Sequence, residues 1–513
     1  MYICRTLDAI GYRRLVATAA LTDGAPDTLE VLMVTPECYP LVKTGGLADV
    51  AGALPLALAG SAVRSSVLMP GYPGVAERLA SRSTVATIGD LFGGPAEIVS
   101  GRTPDGLEVW LVDAPHLYDR VGGPYLDASG RDWSDNHLRF GALGWVGAEI
   151  ALGRLGPRRP DLVHLHDWQS ALTAAYLRYH SPDDAPPSLL TIHNLAFQGV
   201  FDADALADLR LPDDAMEFGA LEYWGRLSFL KAGVLWCDRI NTVSPTYARE
   251  ILGHECGMGF DGLLRGRGGD VSGIVNGIDE SVWDPATDPN VPSPYSNRRL
   301  SAKAANRRAL QTELGLATDA TGPLFCVISR LTTQKGLDLL LEAVPRLVAS
   351  GAQLAVLGAG ERWIEDGFRS AAAAHPAHVA AVIGYDEPLA HRLQAGADSI
   401  IVPSRFEPCG LTQLYGLRYG TLPLVARVGG LADTVIDANE AALRDGVATG
   451  FQFAPVTTEA LAIAIDRAVE LHADTAAWQR VQRRAMTRDV SWTLAARRYR
   501  ALYDSILEQH RAR

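Results

Sequence analysis

Short apolar runs recur along the chain at helix-length intervals, and that rhythm organises everything else. From Leu29 the order reads strand (EVLMVT, residues 30–35), glycine-rich loop (PECYPLVKTGGLADVAG, 36–52) and helix (ALPLALAG, 53–60), with a second strand at Ser66 to Pro70. This is a βαβ signature. Further buried strands are predicted at Val109 to Val112, Leu162 to Leu165, Leu189 to Ile192 and Ile240 to Val243, separated by segments long enough for helices. Continuous apolar runs, rather than alternating ones, are what a parallel sheet covered on both faces demands.

After Asp270 the pattern begins again. SGIVNGID (272–279) leads through a Pro- and Asp-rich stretch into PLFCVISR, LLLEAVPRLVAS, QLAVLGAG, VAAVIGY, SIIVPS and TLPLVAR. The fold class read from this is α/β, two doubly wound Rossmann-like domains facing a cleft, with ligands expected at the carboxyl ends of the strands. The expected boundaries are 29–272 and 273–487, followed by a helix within 488–513. GGLADV (45–50) is echoed by GGLADT (429–434), each copy placed between a strand and a helix. Both read as tight glycine turns.

Length and composition narrow the reading. At 513 residues the chain exceeds one ordinary core. With 48% hydrophobic and 21% charged residues it has the make-up of a packed globular protein. Its net charge of −12 disfavours nucleic acid, and Asn306-Arg307-Arg308, a short basic run, reads as a solvated helix face. The six cysteines are scattered without zinc spacing, which suits a reducing, cytoplasmic setting, and no long apolar span suggests a membrane helix. Residues 1–28 carry a short apolar run (Leu15 to Leu21) behind Asp8, a poor signal peptide, and are read as a disordered extension or a start codon placed too far upstream.

Candidate chemistry sits in the loops after strands. In KTGGLADVAGALP (43–55), Gly45 and Gly46 let backbone approach a ligand while Lys43 and a helix N-terminus offer positive potential, although the spacing matches neither a Walker loop nor GxGxxG. In SRLTTQKG (329–336), Arg330 and Lys335 form either a solvated pair or a diphosphate site that works without a metal. In PSRFEPCGLTQLYGL (403–417), Glu407 stands between Phe406 and Pro408, an expensive place to bury a carboxylate. The loops HLHDW (164–168) and TIHNLAFQG (191–199) offer histidines with Asp167 and Asn194, equipment for sugar hydroxyls. Tyr385 in IGYDEP and Asn276 in VNGID complete the set. No Ser/His/Asp elbow, HExxH or P-loop occurs. Taken from the residues alone, the assembly handles anions and polyols between two lobes.

Ten motifs, in order from about Glu30 onward, closely resemble those of bacterial glycogen synthases and the related plant starch synthases: KTGGLADVAGALP, DAPHLYDR, HDWQ, TIHNLAFQG, FLKAG, VSPTYA, NGID, SRLTTQKG, SRFEPCGLTQLYGL and GGLADTV. The resemblance implies a GT-B fold, ADP-glucose as donor, an α-1,4-glucan as acceptor, retention of configuration and no metal or other cofactor. It further implies catalytic roles for Glu407, Lys335, Arg330, Asp167 and His193. Substrate contacts are implied for Lys43, Gly45, Gly46, Asp49, Tyr125, Asn194, Asn276, Tyr385, Cys409, Gly410, Leu411 and Thr412. The final helix is expected to pack back on the first lobe. Oligomeric state stays open. Rival readings are a starch synthase, a UDP-glucose-using glucan synthase, a two-lobed epimerase or pyridoxal-phosphate phosphorylase, and an inactive glucan-binding protein.

Overall fold

A computed structural model describes residues 28–512; the reading of the N-terminal extension lies outside them. Two sheets build two lobes. The first holds nine strands in the order Val271–Gly273, Arg239–Thr242, Ser188–Ile192, Leu162–His166, Leu29–Val34, Val63–Pro70, Glu108–Asp113, Ala96–Arg102 and Ala80–Ile88. The second holds six, in the order Val379–Ile383, Gln353–Gly358, Leu324–Ile328, Ser399–Val402, Leu422–Ala426 and Phe451–Phe453. All pairings in the second sheet are parallel. Every residue of Leu162–His166, Ser188–Ile192, Gln353–Gly358 and Leu422–Ala426 is buried, as strands sandwiched between helices require.

The structure departs from the sequence expectation in three places. The edge of the first sheet is antiparallel: Ala80–Ile88 pairs with Ala96–Arg102, which pairs with Glu108–Asp113. Ala80–Ile88 is largely exposed, so it lacks the apolar run that marks a central strand. Val271–Gly273 pairs in parallel with Arg239–Thr242 and closes the first sheet, so the alternation restarts at Leu324 rather than just after Asp270. HLHDW is not a loop, since His164 and His166 end a strand and Asp167 opens the helix Asp167–His180.

The last helix, Trp492–Arg511, returns to the first lobe. Trp492, Ala495, Ala496, Tyr499, Tyr503 and Ile506 are buried in that lobe's core. Tyr503 pairs its hydroxyl with His164 Nδ1 at 2.8 Å, Asn241 Nδ2 donates to Tyr499 Oη at 3.1 Å, and Arg500 caps the Ser61 and Ala62 carbonyls. The chain's end therefore staples the lobe in which it began. No helix among the described residues is long and apolar enough to cross a membrane.

Candidate active site

Parallel strands place the loops and helix starts that follow them along one edge of each sheet, and the candidate residues sit there. In the first lobe Glu37, Asp167, His193 and Ser244 follow Leu29–Val34, Leu162–His166, Ser188–Ile192 and Arg239–Thr242, which lie side by side. In the second lobe Arg330 and Lys335 follow Leu324–Ile328, Tyr385 follows Val379–Ile383, and Glu407 follows Ser399–Val402. Loops at the carboxyl ends of parallel strands are where open α/β sheets bind ligands.

Lys335 and Glu407 form a tight ion pair, Nζ to Oε2 at 2.5 Å. Ser404 Oγ donates to the same oxygen at 2.9 Å, while Glu407 Oε1 has no partner among the described residues. Glu407 is only 7% exposed, so the pair is largely shielded from water. The two loops are locked together. Gln334 Nε2 donates to the Phe406 carbonyl at 2.8 Å, and Arg405 N donates to the Gln334 carbonyl at 3.0 Å. The Arg405 guanidinium also grips Asp338 through two bonds of 2.7 and 2.6 Å. Gly336 takes φ of 67°, and any Cβ there would overlap the Pro403 carbonyl. Arg330, by contrast, is exposed; it has no carboxylate partner among the described residues and only a long contact to Gln334.

The first lobe supplies a buried polar cluster. Asp167 has φ of 57°, a left-handed conformation uncommon outside glycine, and its Oδ1 accepts the His193 N–H at 2.6 Å. Burial pushes its carboxyl up to about 7, against the lowering effect of the His193 and Asn194 backbone donors. His193 Nε2 lies 3.0 Å from His166 Nδ1, and His164 bridges Tyr503 and the Thr191 hydroxyl. Burial holds His164 and His193 down to about 3, and His166 well below its ordinary value. All three rings are therefore neutral. His166 Nε2 and Asn276 Oδ1 are buried without a hydrogen-bond partner among the described residues.

Other expected residues fall less simply. Lys43 is paired with Asp49 at 2.8 Å rather than standing free, and its ammonium lies 5.5 Å over the Tyr39 ring. Gly45 and Gly46 are exposed, and a Cβ on Gly46 would lie 3.7 Å from Leu411 of the other lobe. Asp49 is near enough to Glu387 and Tyr385 for their charges to interact. Tyr385 is 82% exposed and donates to Glu387 at 2.8 Å, so its ring face is open. Asn194 spends its Oδ1 on the Ala196 N–H. Cys409 is buried, its thiol pushed up to about 12 by burial, with the Asn276 N–H donating to its sulfur. Gly410 takes φ of 73°, and the helix Thr412–Tyr419 begins two residues later.

Sequence reasoning missed three supports. Glu37 lies beneath the glycine loop, accepting the Thr44 N–H at 2.5 Å, the Thr44 hydroxyl at 2.8 Å and the Tyr125 hydroxyl at 3.1 Å. Its setting, Pro36-Glu37-Cys38 at a strand's end, carries the same cue of a carboxylate among apolar neighbours that singled out Glu407. Ser244 caps the helix Pro245–Glu250 and donates across the lobes to the Pro408 carbonyl at 2.8 Å. Glu250 crosses likewise to the Gly429 N–H at 2.9 Å. The second glycine turn thus serves differently from the first: Gly429 and Gly430 press against the backbone of Glu407 to Cys409, where a Cβ would overlap it.

The comparisons fit this geometry. A family model described as the starch synthase catalytic domain matches residues 30–266, and one described as glycosyl transferases group 1 matches residues 315–484. A glycogen synthase of Roseobacter denitrificans is 54% identical over 93% of this chain and 100% of its own length. The chain belongs to the glycogen synthase family. A glycogen synthase of Rhodopseudomonas palustris is 53% identical over 94% of this chain and 99% of its own. Among solved structures, the catalytic domain of starch synthase IV from Arabidopsis thaliana, bound to ADP and acarbose, superposes with a TM-score of 0.84 at 30% identity, covering 94% of this chain and 99% of that one. A sucrose-phosphate synthase from Thermosynechococcus elongatus, at 17% identity and a TM-score of 0.57, shares the fold. The architecture is GT-B.

Proposed function

We propose that the chain transfers glucose from ADP-glucose to the non-reducing end of an α-1,4-glucan, with retention of the α configuration and release of ADP. The observation that carries this reading is the charge arrangement in the second lobe. Lys335 is neutralised by Glu407 at 2.5 Å, while Arg330 beside it has no acidic partner. Such a set can take up the negative charge that develops on a departing diphosphate, so its stabilisation grows towards the transition state. A guanidinium and an ammonium there fill the role of a metal, and activity is expected to survive EDTA.

The remaining groups fit sugar binding. His166 Nε2 and Asn276 Oδ1 are buried without a partner among the described residues, a state that costs about 1–3 kcal/mol each, and Glu407 keeps Oε1 free of the bonds that Lys335 and Ser404 make to Oε2. Sugar hydroxyls answer all three. Asp167 makes a poor nucleophile, because its carboxylate is buried and already held by the backbone of His193 and Asn194. Retention is then best served by front-face attack, the acceptor hydroxyl entering on the side from which the phosphate leaves and giving its proton to that phosphate. The open face of Tyr385 suits an adenine ring.

Transfer of radiolabelled glucose to glycogen, from ADP-glucose and in parallel from UDP-glucose, tests the reading with Glu407→Ala and Lys335→Ala alongside. Transfer from ADP-glucose that falls by about 100-fold or more in both variants is the expected result. Preference for UDP-glucose would overturn the donor, and no transfer from either would leave a glucan-binding protein.

A further inference from the structure

Three large apolar side chains stand largely in solvent in and next to the loop that carries His193. Phe218 is 87% exposed, Trp224 84% and Phe197 55%. Trp224 is also strained. It occupies the first of two positive-φ positions, Trp224 at 55° and Gly225 at 76°, in the two-residue turn joining Glu222–Tyr223 to Arg226–Ser228. Both angles positive is the I′ pattern, which favours Asn, Asp or Gly and disfavours a bulky residue. The fold offers the indole little in return: among the described residues its N–H reaches only the neighbouring Tyr223 hydroxyl. A bulky aromatic held in a disfavoured conformation and in water points to a ligand.

Hydrogen bonds tie this hairpin to the candidate site. Tyr223 Oη and Gln198 Nε2 both donate to the Met258 carbonyl, at 3.2 and 2.9 Å. The Gln198 carbonyl accepts Ser228 Oγ at 3.0 Å. Gln198 adjoins Phe197 and lies five residues beyond His193 on the same loop. The hairpin is therefore fastened, through Gln198, to the loop that carries His193. Polar groups interrupt the aromatic surface. Glu222 Oε1 accepts the Gly225 N–H at 2.7 Å, and the Lys231 ammonium lies 5.4 Å over the Phe218 ring. Separate aromatic faces set among polar groups suit pyranose rings, which offer C–H faces for stacking and hydroxyls at their edges, better than they suit a continuous apolar helix face.

We propose that Trp224, with Phe197 and Phe218, forms a platform that carries the α-1,4-glucan acceptor beyond its reacting end. This rests on the glucosyl-transfer reading above. The platform engages sugar units remote from the reacting hydroxyl, so it distinguishes long chains from short ones and leaves the chemistry untouched.

Trp224→Asn tests it with little risk to folding, because Asn is favoured at that turn position. The full chain, wild type and variant, is run through native gels containing glycogen and assayed with ADP-glucose against glycogen and against maltotriose, with Ile463→Ala, an exposed apolar residue of the other lobe, as control. The expected result is weakened retardation by glycogen and a glycogen half-saturation raised about tenfold, with maltotriose kinetics and the control unchanged. Retardation equal to wild type would overturn the platform. So would equal losses on glycogen and maltotriose, or a loss of mass in light scattering that marks Trp224 as a contact between copies. A wild type that transfers to maltotriose separates these failures from failure of the parent reading; one that neither transfers nor is retarded would remove both.

Discussion

A carboxylate that accepts bonds from a loop's backbone fixes that loop better than any side chain projecting from the loop can. Glu37 does this beneath Lys43 to Gly46, while Tyr125 holds its other oxygen. Glu37→Gln keeps the shape but replaces one acceptor with a donor facing donors. The expected outcome is a rise of about tenfold in half-saturation for ADP-glucose, equivalent to about 1.4 kcal/mol, with the value for maltotriose unchanged, read from initial-rate kinetics. The neutral histidines and Asp167 make a second residue-level prediction, with opposing signs. His164 and His193 titrate near 3 when folded, so between about 6.5 and 3 the unfolded chain binds protons that the native one refuses, and stability falls as pH drops through that window. Asp167 titrates near 7 when folded against an ordinary 3.8, so the native state binds the extra proton and stability rises as pH drops through that interval. Urea unfolding from about pH 7 to about pH 5 is expected to show Asp167→Asn losing stability more steeply than wild type, because the variant keeps the histidines and lacks the opposing carboxyl.

At the level of elements, what could be read in advance was whatever local patterning determines. The buried parallel strands were legible because each must be apolar along its whole length, and Leu162–His166 and Leu422–Ala426 are cases in point. Ala80–Ile88 was not, because an exposed antiparallel edge strand imposes no such run. Val271–Gly273, astride the expected boundary between 272 and 273, was not foreseen as a strand of the first sheet, because three residues contain no sign of which sheet will pair with them. The site divides along the same line. Glu407 announced itself through the cost of its apolar neighbours, and Arg330 and Lys335 through charge in a loop opening a helix. Their joining through Gln334 to Phe406 and Arg405 to Asp338 depends on contacts 67 to 72 residues apart, which no spacing rule supplies. The pairing of Lys43 with Asp49, one helical turn into the following helix, was within reach of the sequence, but the lysine's role as a free cation took precedence in the reading.

For the whole molecule the question is how one lobe knows where the other is. Ser244, Thr246 and Glu250, all on or beside the helix Pro245–Glu250, reach across to Pro408, Asp433 and Gly429. Gly430 in turn donates to the Glu407 carbonyl at 3.1 Å. The seam between lobes is thus two hydrogen bonds away from the carboxylate that pairs with Lys335. Burial and the nearby Asp433 push the Glu250 carboxyl up, and the Gly429 N–H holds it down, so the contact depends on that single backbone donor. Glu250→Gln removes the charge from the N-terminus of the short helix Gly429–Thr434 while keeping an acceptor, whereas Glu250→Ala removes both. If the seam sets the position of Glu407, kcat/KM for ADP-glucose should fall in the order wild type, Gln, Ala, by about tenfold in the last, while near-ultraviolet circular dichroism stays native. A merely structural contact would instead lower the midpoint of thermal unfolding and leave kcat/KM at moderate temperature intact. On the proposed division of the donor-binding groups between the lobes, a loosened seam should also weaken ADP binding, and calorimetric titration with ADP reads that loss without any turnover.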